Sequence, residues 1–403
     1  MNKKSLKWWL TRLETQHSKK IDLGLERVKQ VYSALSIEKI APTIITVAGT
    51  NGKGSTVAIL SAICQQAGYK VGEFTSPHLL NFNERIKINN VEVSDDEIIQ
   101  VFECIELACG AISLSYFEYA TLAATIVFKQ QQVDVALLEV GLGGRLDSVN
   151  VIDADCAIIT SIDIDHTNWL GDTIELIAYE KAGIMRKNKP VIYGDVDCPK
   201  AISDFAKKIN AKLVIAKQFD FNSFPQPNLN GLYQYKNAAT AYTALKMLKR
   251  LKISNKNIVD GLKNIQLTGR LQVIGENPAI IIDVSHNKQA AQQLAKWLCE
   301  NPIKGQTYAV FAVLADKKPI DWLDYFSGCI DVWCISQVQS ERALAVNDLL
   351  QVLAEKSKLI CSFTTVTQAF EKAQLIAEEK DRIIVFGSFY TVSEVLESKL
   401  NDN

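Results

Sequence analysis

Ile44-Ile45-Thr46-Val47-Ala48-Gly49-Thr50-Asn51-Gly52-Lys53-Gly54-Ser55-Thr56 is the stretch from which the fold follows. Its first half is an apolar, β-branched run, as suits a strand buried on both faces of a parallel sheet. The glycines that follow let the chain turn sharply and bring backbone N–H groups close to an anion. The spacing predicts a helix over 55–67, whose positive N-terminus faces the same anion. Lys53 adds a mobile cation for phosphate oxygens, and Ser55 or Thr56 offers a hydroxyl to a magnesium ion. The loop is shorter than a full Walker A motif, because Gly54 separates Lys53 from Ser55 and no glycine stands five residues before Gly52. With a strand before it and a helix after it, phosphate binding is a better reading of Lys53 than a solvated loop lysine.

Around that loop the chain is long enough for two domains, at 403 residues. A net charge of −1 provides no global field for nucleic acid or anionic lipid. Nine scattered cysteines without a Cys-x-x-Cys pair point to reduced thiols in a cytoplasmic protein, not to a disulfide framework or a zinc site. At the start, Lys3, Lys4 and Lys7 precede Trp8-Trp9-Leu10, but the apolar run stops at Thr11-Arg12. That is too short for a signal peptide or a membrane span, so an amphipathic helix is expected.

Downstream, Asp22-Leu23-Gly24-Leu25 reads as a loop entering a helix, with Leu25 and Val28 facing inward. A second strand near 70–74 ends in Thr75-Ser76-Pro77-His78-Leu79, which puts a hydroxyl at a strand end beside the phosphate loop. Alternation over 85–94 around Asn89-Asn90 predicts a hairpin, and Ser94 with Glu97 a capping box. A helix is expected from Tyr116 to 132, then a buried strand over 133–140 closing on Glu139. A carboxylate at the end of an apolar strand is costly unless paired or bound to a cation. Gly141-Leu142-Gly143-Gly144-Arg145-Leu146-Asp147-Ser148 misses the dinucleotide fingerprint at Leu146, and its glycines suit a backbone that approaches a ligand. A strand over 157–162 leads to Asp163-Ile164-Asp165-His166, where His166 is a metal-ligand candidate. Lys181, in a helix over 173–185, has the pattern of a solvated surface residue.

The stretch 219–231, with Pro225 and Pro227, is expected to be a loop, and Asn237 to open a long helix. Gly275 and Pro278 mark the expected domain boundary, dividing 1–273 from 274–403. Beyond it, strands near 280–284, 308–313, 332–335 and 382–386 alternate with helices near 347–355 and 367–378. This predicts a second, doubly wound sheet without a phosphate loop of its own.

The motifs together resemble the folylpolyglutamate synthases, a family in the Mur-ligase-like group of ATP-dependent amide ligases. The phosphate loop, Thr75–Leu79, Leu138–Asp147, Asp165-His166, Glu180-Lys181-Ala182-Gly183-Ile184, Asp283-Val284-Ser285-His286-Asn287 and Phe386-Gly387-Ser388-Phe389 recur there in this order and at similar spacing. The resemblance implies an α/β fold: a Mur-ligase-like, P-loop-containing central ATPase domain with a parallel-rich sheet, plus a smaller Rossmann-like C-terminal domain. It implies that Thr50, Asn51, Gly52, Lys53, Gly54, Ser55 and Thr56 bind ATP, with Asn237, Arg270 and Asp283. It implies that Ser76, Glu139 and His166 serve two magnesium ions, with K+ a further candidate cation, and that Lys181 carries a carbamate, against its local pattern. Lys53, Glu139, His166, Lys181 and His286 are then the expected catalytic residues, and His286 and Ser388 the expected glutamate site.

Asp22-Leu23-Gly24-Leu25, Ser115-Tyr116-Phe117-Glu118 and Leu146-Asp147-Ser148 resemble the dihydropteroate-binding segments of the bifunctional bacterial members. The implied enzyme is a cytoplasmic monomer acting on ATP, L-glutamate, dihydropteroate and tetrahydrofolate, with no nucleic acid or membrane partner. Ser285, Lys288 and Thr268 stand where Ala, Pro and Pro are usual in the family, which bears on substrate preference more than on reaction type. The alternatives are a synthase that only extends folate tails, a Mur ligase acting on a UDP-sugar peptide, a kinase, and a nucleotide switch that ligates nothing.

Overall fold

The computed structural model describes residues 4–19, 21–216, 224–356 and 359–401. Lys3 and residues 219–223 of the expected loop lie outside the described residues. In chain order the elements begin with α1 (Leu6–Thr15), α2 (Glu26–Ala34), β1 (Thr43–Ala48), α3 (Lys53–Gln66) and β2 (Val71–Phe74). There follow β3 (Ile86–Ile88), β4 (Val91–Glu92), α4 (Asp95–Cys109), α5 (Tyr116–Gln130), β5 (Val135–Glu139) and β6 (Cys156–Ile159). Next come α6 (Thr167–Leu170), α7 (Ile174–Ala182), β7 (Pro190–Tyr193), α8 (Lys200–Lys208), β8 (Lys212–Ile215), α9 (Tyr233–Met247) and α10 (Asn255–Lys263). The remainder is β9 (Gln272–Glu276), β10 (Ala279–Ile282), α11 (Lys288–Glu300), β11 (Thr307–Phe311), β12 (Val332–Ile335), α12 (Val346–Ala354), β13 (Ile360–Ser362), α13 (Val366–Ile376), β14 (Arg382–Phe386) and α14 (Phe389–Asn401).

The chain packs as two compact units, one of 1–228 with 235–265 and one of 229–234 with 266–403. In the first, eight strands run β4-β3-β2-β5-β1-β6-β7-β8. All pairs are parallel except β2 with β3 and β3 with β4, the expected hairpin. Asn89 and Asn90 turn it with φ of 50° and 67°, a left-handed pair that asparagine tolerates. β1, β2 and β5 are buried along their whole length, as their apolar runs require. Capping boxes at Ser94–Glu97 and Ser115–Glu118 start α4 and α5. β1 lies between β5 and β6, so the loop after it opens at the carboxyl edge, flanked by the ends of both neighbours.

The second unit has a six-stranded sheet, β13-β12-β11-β14-β10-β9, parallel except for β9 with β10. Three expectations change here. Gly275 and Pro278 sit in the β9–β10 hairpin, where turn residues join two paired strands of one unit. β13 was not anticipated from the sequence, being three residues long and half-exposed. Cys299 and Cys329 form a disulfide, with Cα atoms 5.9 Å apart, because α11 ends beside the turn that follows the 3-10 segment Leu323–Phe326. The other seven cysteines are free, as expected. Among the described residues no helix is long and apolar enough to cross a membrane.

Candidate active site

The phosphate loop is held from behind by the end of β6. Thr160 Oγ1 and Ser161 Oγ donate to the Asn51 carbonyl at 2.6 and 3.2 Å, and the Thr50 N–H donates to the Ser161 carbonyl at 2.7 Å. The Asp163 N–H donates to Thr50 Oγ1 at 3.0 Å. Gly49 has no room for a side chain, since a Cβ would stand 1.8 Å from Thr160 Oγ1. Gly52 has φ 87° and would place a Cβ 2.5 Å from Asn237 Oδ1, so Asn237 packs directly on the loop. That asparagine lies one turn inside α9, which starts at Tyr233 and not at Asn237. Likewise α3 begins at Lys53, two residues earlier than expected, because Gly52 supplies the left-handed N-cap. Gly54 is therefore in the first turn, whose N–H groups have no intrahelical partner. Lys53 Nζ folds back to the carbonyls of Gly49 and Thr50 at 3.1 and 3.3 Å. Ser55 and Thr56 are buried, and the Thr56 hydroxyl has no hydrogen-bond partner.

Glu139 ends β5 with 5% of its surface exposed, and its Oε2 accepts the Ser76 N–H at 3.1 Å. Two of the three expected metal residues thus meet beside the phosphate loop. His166 follows the β6 end in a left-handed conformation, φ 53°, with Nε2 4.0 Å from Asp165 Oδ1. Among the described residues no group of three or more His, Cys, Asp or Glu converges into an all-protein cage. Magnesium does not need one: it is held by one or two carboxylates and completes its shell with phosphate and water oxygens. A buried carboxylate beside Ser76 at the end of β5 fits that ion.

Lys181 overturns its pattern. It is 4% exposed, because the 141–148 loop packs on α7. A Cβ on Gly144 would stand 2.9 Å from the Glu180 carbonyl and 3.2 Å from Lys181 Cα, and the Arg145 N–H donates to that carbonyl at 2.7 Å. Glu180 takes the Arg145 guanidinium at 2.8 Å, and Lys181, ~100° further round the helix, is turned inward. Burial, then the charge of Lys53, pulls the Lys181 pKa down to about 7 against the opposing pull of Asp165 and Asp147. Asp147 is 2% exposed and accepts the N–H groups of Leu142 at 2.8 Å and Val149 at 3.0 Å. Burial outweighs those bonds and the nearby Lys53, and pushes its carboxyl up to about 6.

The three segments expected to bind the pterin come together. The Gly24 N–H donates to the Leu146 carbonyl at 3.2 Å. Arg27 spans Asp22 and Glu118 at 2.8 and 3.1 Å. Glu118 Oε2 accepts the Ser115 N–H at 2.7 Å. The Phe117 ring covers Gly141, where a Cβ would be 2.6 Å from it, and lies 5.7 Å from the Phe74 ring. Ser148 Oγ is 2.7 Å from Thr121 Oγ1, and Leu25 packs on the core with Leu23 half-buried. Tyr116 meets the Phe82 ring edge to face at 5.8 Å, with the Arg85 guanidinium 5.4 Å from its ring.

Arg27, Arg85 and His78 were missed as site residues by sequence reasoning. Arg85 Nε donates to His78 Nδ1 at 2.8 Å, which leaves the proton on Nε2. Burial, then the Arg85 charge, lowers the His78 pKa to about 4, with Glu84 opposing. The one available signal was an arginine in the first turn of α2, two residues after Leu25.

In the second unit, Asp283 follows β10 and accepts the N–H groups of Leu271 at 2.9 Å and Ser285 at 2.8 Å. Burial raises its pKa, opposed by the Ser285 hydrogen bond and Arg270. The Arg270 guanidinium lies 5.3 Å from the Phe389 ring, and the His286 ring 6.1 Å from it. His286 Nδ1 donates to the Val284 carbonyl at 2.8 Å. Ser388 caps α14, accepting the Thr391 N–H at 3.0 Å. Thr391 Oγ1 donates to the Ala312 carbonyl at 2.6 Å, so the Ser388 hydrogen goes to Thr391 Oγ1 at 2.7 Å. Ser388 is 3% exposed, and its hydroxyl hydrogen is committed to Thr391.

Residues 47–274 match the Mur ligase middle domain, and residues 269–389 match the Mur ligase glutamate ligase domain. The dihydrofolate synthase/folylpolyglutamate synthase of Escherichia coli K12 is 42% identical over 96% of this chain and 94% of its own length. This chain belongs to the dihydrofolate synthase/folylpolyglutamate synthase family of Mur ligases. Among solved structures, E. coli FolC in complex with DHPP and ADP superposes with a TM-score of 0.94 at 40% identity, covering 99% of this chain and 98% of that one. The bifunctional Yersinia pestis enzyme complexed with AMPPNP and Mn ion superposes with a TM-score of 0.91 at 41% identity, covering 98% of both chains. The family membership establishes an α/β ATP-dependent ligase and accounts for the phosphate loop.

Proposed function

We propose that this chain joins L-glutamate to dihydropteroate, giving dihydrofolate, and to tetrahydrofolate, giving polyglutamates, with one ATP consumed per bond. The observation that carries this is the convergence of the 22–25, 115–118 and 146–148 segments, electrostatically coupled to the phosphate loop through Asp147 and Lys53.

The loop N–H groups and Lys53 cradle the ATP phosphates and neutralise charge as the acceptor carboxylate attacks the γ-phosphorus. The bond to ADP breaks and an acyl phosphate forms. The glutamate amine attacks the acyl carbon, inorganic phosphate leaves, and the amine proton is released. Held by Ser76 and Glu139, with His166 the third candidate, magnesium would supply charge neutralisation of the phosphate oxygens. Glu139 and Ser76 orient at that site, while Asn237 keeps Gly52 in the shape the phosphates require. Arg270, Asp283 and His286 are proposed as ligand-binding residues of the second unit. The substrates and the seven free cysteines suit a cytoplasmic enzyme.

The test is an acceptor labelled with heavy oxygen in its carboxylate. Appearance of one label in the released phosphate is expected from an acyl phosphate. Phosphate that carries no label overturns the ligation route.

A further inference from the structure

We infer that Arg27 is a positioning residue for the pterin acceptor, clamping the 22–25 segment to the 115–118 segment. The inference rests on the function proposed above, since those segments are its acceptor site. Arg27 Nη1 meets Asp22 Oδ2 at 2.8 Å, and Nη2 meets both the Asp22 carbonyl at 2.8 Å and Glu118 Oε1 at 3.1 Å. One planar fork therefore fixes both the backbone and the side chain of a loop residue against a glutamate that is 3% exposed. Asp22 Oδ2 also meets His17 Nε2 at 3.2 Å, Asp22 Oδ1 accepts from Lys19 Nζ at 3.2 Å, and His17 Nδ1 lies 2.9 Å from Ser113 Oγ, just before the 115–118 segment. The ring of contacts is closed: 113, 17, 22, 27, 118, 115.

Three observations separate this clamp from ordinary helix docking. Val28 and Val31 are fully buried and already seat α2 on the core. Ser115 and Glu118 complete their capping box with each other, so α5 does not require Arg27 for its start. Arg27 Nε is buried and unpaired, an orphan donor that costs stability and persists where orientation matters more. The Gly24–Leu146 hydrogen bond ties the same loop to the 146–148 segment, so the clamp and that bond together fix 22–25 against both of the other acceptor segments.

The experiment is steady-state kinetics of the full chain carrying Arg27→Met or Arg27→Lys. Loss of charge-assisted bonds of this kind corresponds to about tenfold to a hundredfold. Arg27→Met is expected to raise the KM for dihydropteroate and tetrahydrofolate by that factor, with kcat within about threefold and KM for ATP and L-glutamate unchanged. Arg27→Lys keeps the charge but lacks the fork, and is expected to recover part of the loss. Combining Arg27→Met with Asp22→Asn should add little to the acceptor KM, because both break one clamp. An acceptor KM at the wild-type value in Arg27→Met, or an equal rise in the KM for ATP, overturns the inference and leaves the function standing. Wild-type protein with no acceptor-dependent turnover overturns the function, and the inference with it.

Discussion

Replacing Lys181 with Met should abolish turnover and at the same time stabilise the protein. An ordinary lysine, with a pKa of 10.5, holds only about one amine in three thousand neutral at pH 7. With its pKa drawn to about 7 by burial and by Lys53, half of the Lys181 amines are neutral there. That is roughly three orders of magnitude more of the form that adds carbon dioxide to give a carbamate. The same shift is a cost while the amine is unmodified. Unfolded lysine keeps its proton up to about pH 10.5 and folded Lys181 loses it near 7, so the unfolded state binds more protons in between. The penalty at pH 7 is on the order of 4 kcal/mol, and it fades as pH rises through that window.

In protein stripped of carbon dioxide, stability should therefore climb between pH 7 and 10.5, and Lys181→Met should remove the climb. Chemical denaturation across that range reads the stability. Turnover after bicarbonate depletion, its restoration by bicarbonate, and a carbamate resonance from isotope-labelled bicarbonate read the modification. An active Lys181→Met enzyme, or a pH slope of stability the same in both proteins, would refute the reasoning.

Removing the Lys53 charge by Lys53→Ala should cut turnover by about a hundredfold or more with the fold intact, as judged by circular dichroism and ATP turnover. Glu139→Ala should do the same and shift the magnesium requirement upward, which a magnesium titration of activity detects. Gly49→Ala should lower Tm by several degrees and weaken ATP binding, since the added methyl would overlap Thr160 Oγ1 in calorimetric terms as a steric clash of the loop's own backing. Asp147, pushed up to about 6, takes a proton as pH falls through that value, so acceptor KM should rise below about pH 6 and lose that dependence in Asp147→Asn. Cys299→Ser should leave one further titratable thiol at Cys329 in unfolded, non-reduced protein, read by thiol counting.

What local chemistry decides was legible. The apolar run of β1, the glycines of the phosphate loop and the capping boxes at Ser94 and Ser115 are specified within a few residues, and the structure contains each. Glu139 declared itself because a carboxylate ending a buried strand needs a partner, and the Ser76 N–H is one. What distant packing decides was hidden. Lys181 is buried by a loop some forty residues upstream that fits against α7 only because positions 144 and 183 are glycine. Arg27 gains its meaning from Glu118, Cys299 from Cys329, and Ser388 is tied to Thr391, which in turn donates to the Ala312 carbonyl. None of these pairs has a sequence spacing that announces it. Pattern gave Lys181 as a solvated surface residue, and the structure buries it.

The most direct test of the proposed activity is phosphate release from ATP in the presence of L-glutamate, with dihydropteroate, with tetrahydrofolate and with neither. Release dependent on each acceptor in turn is the expected result. Release with tetrahydrofolate alone would contradict the dihydropteroate half of the proposal, and release indifferent to both acceptors would contradict the ligase itself.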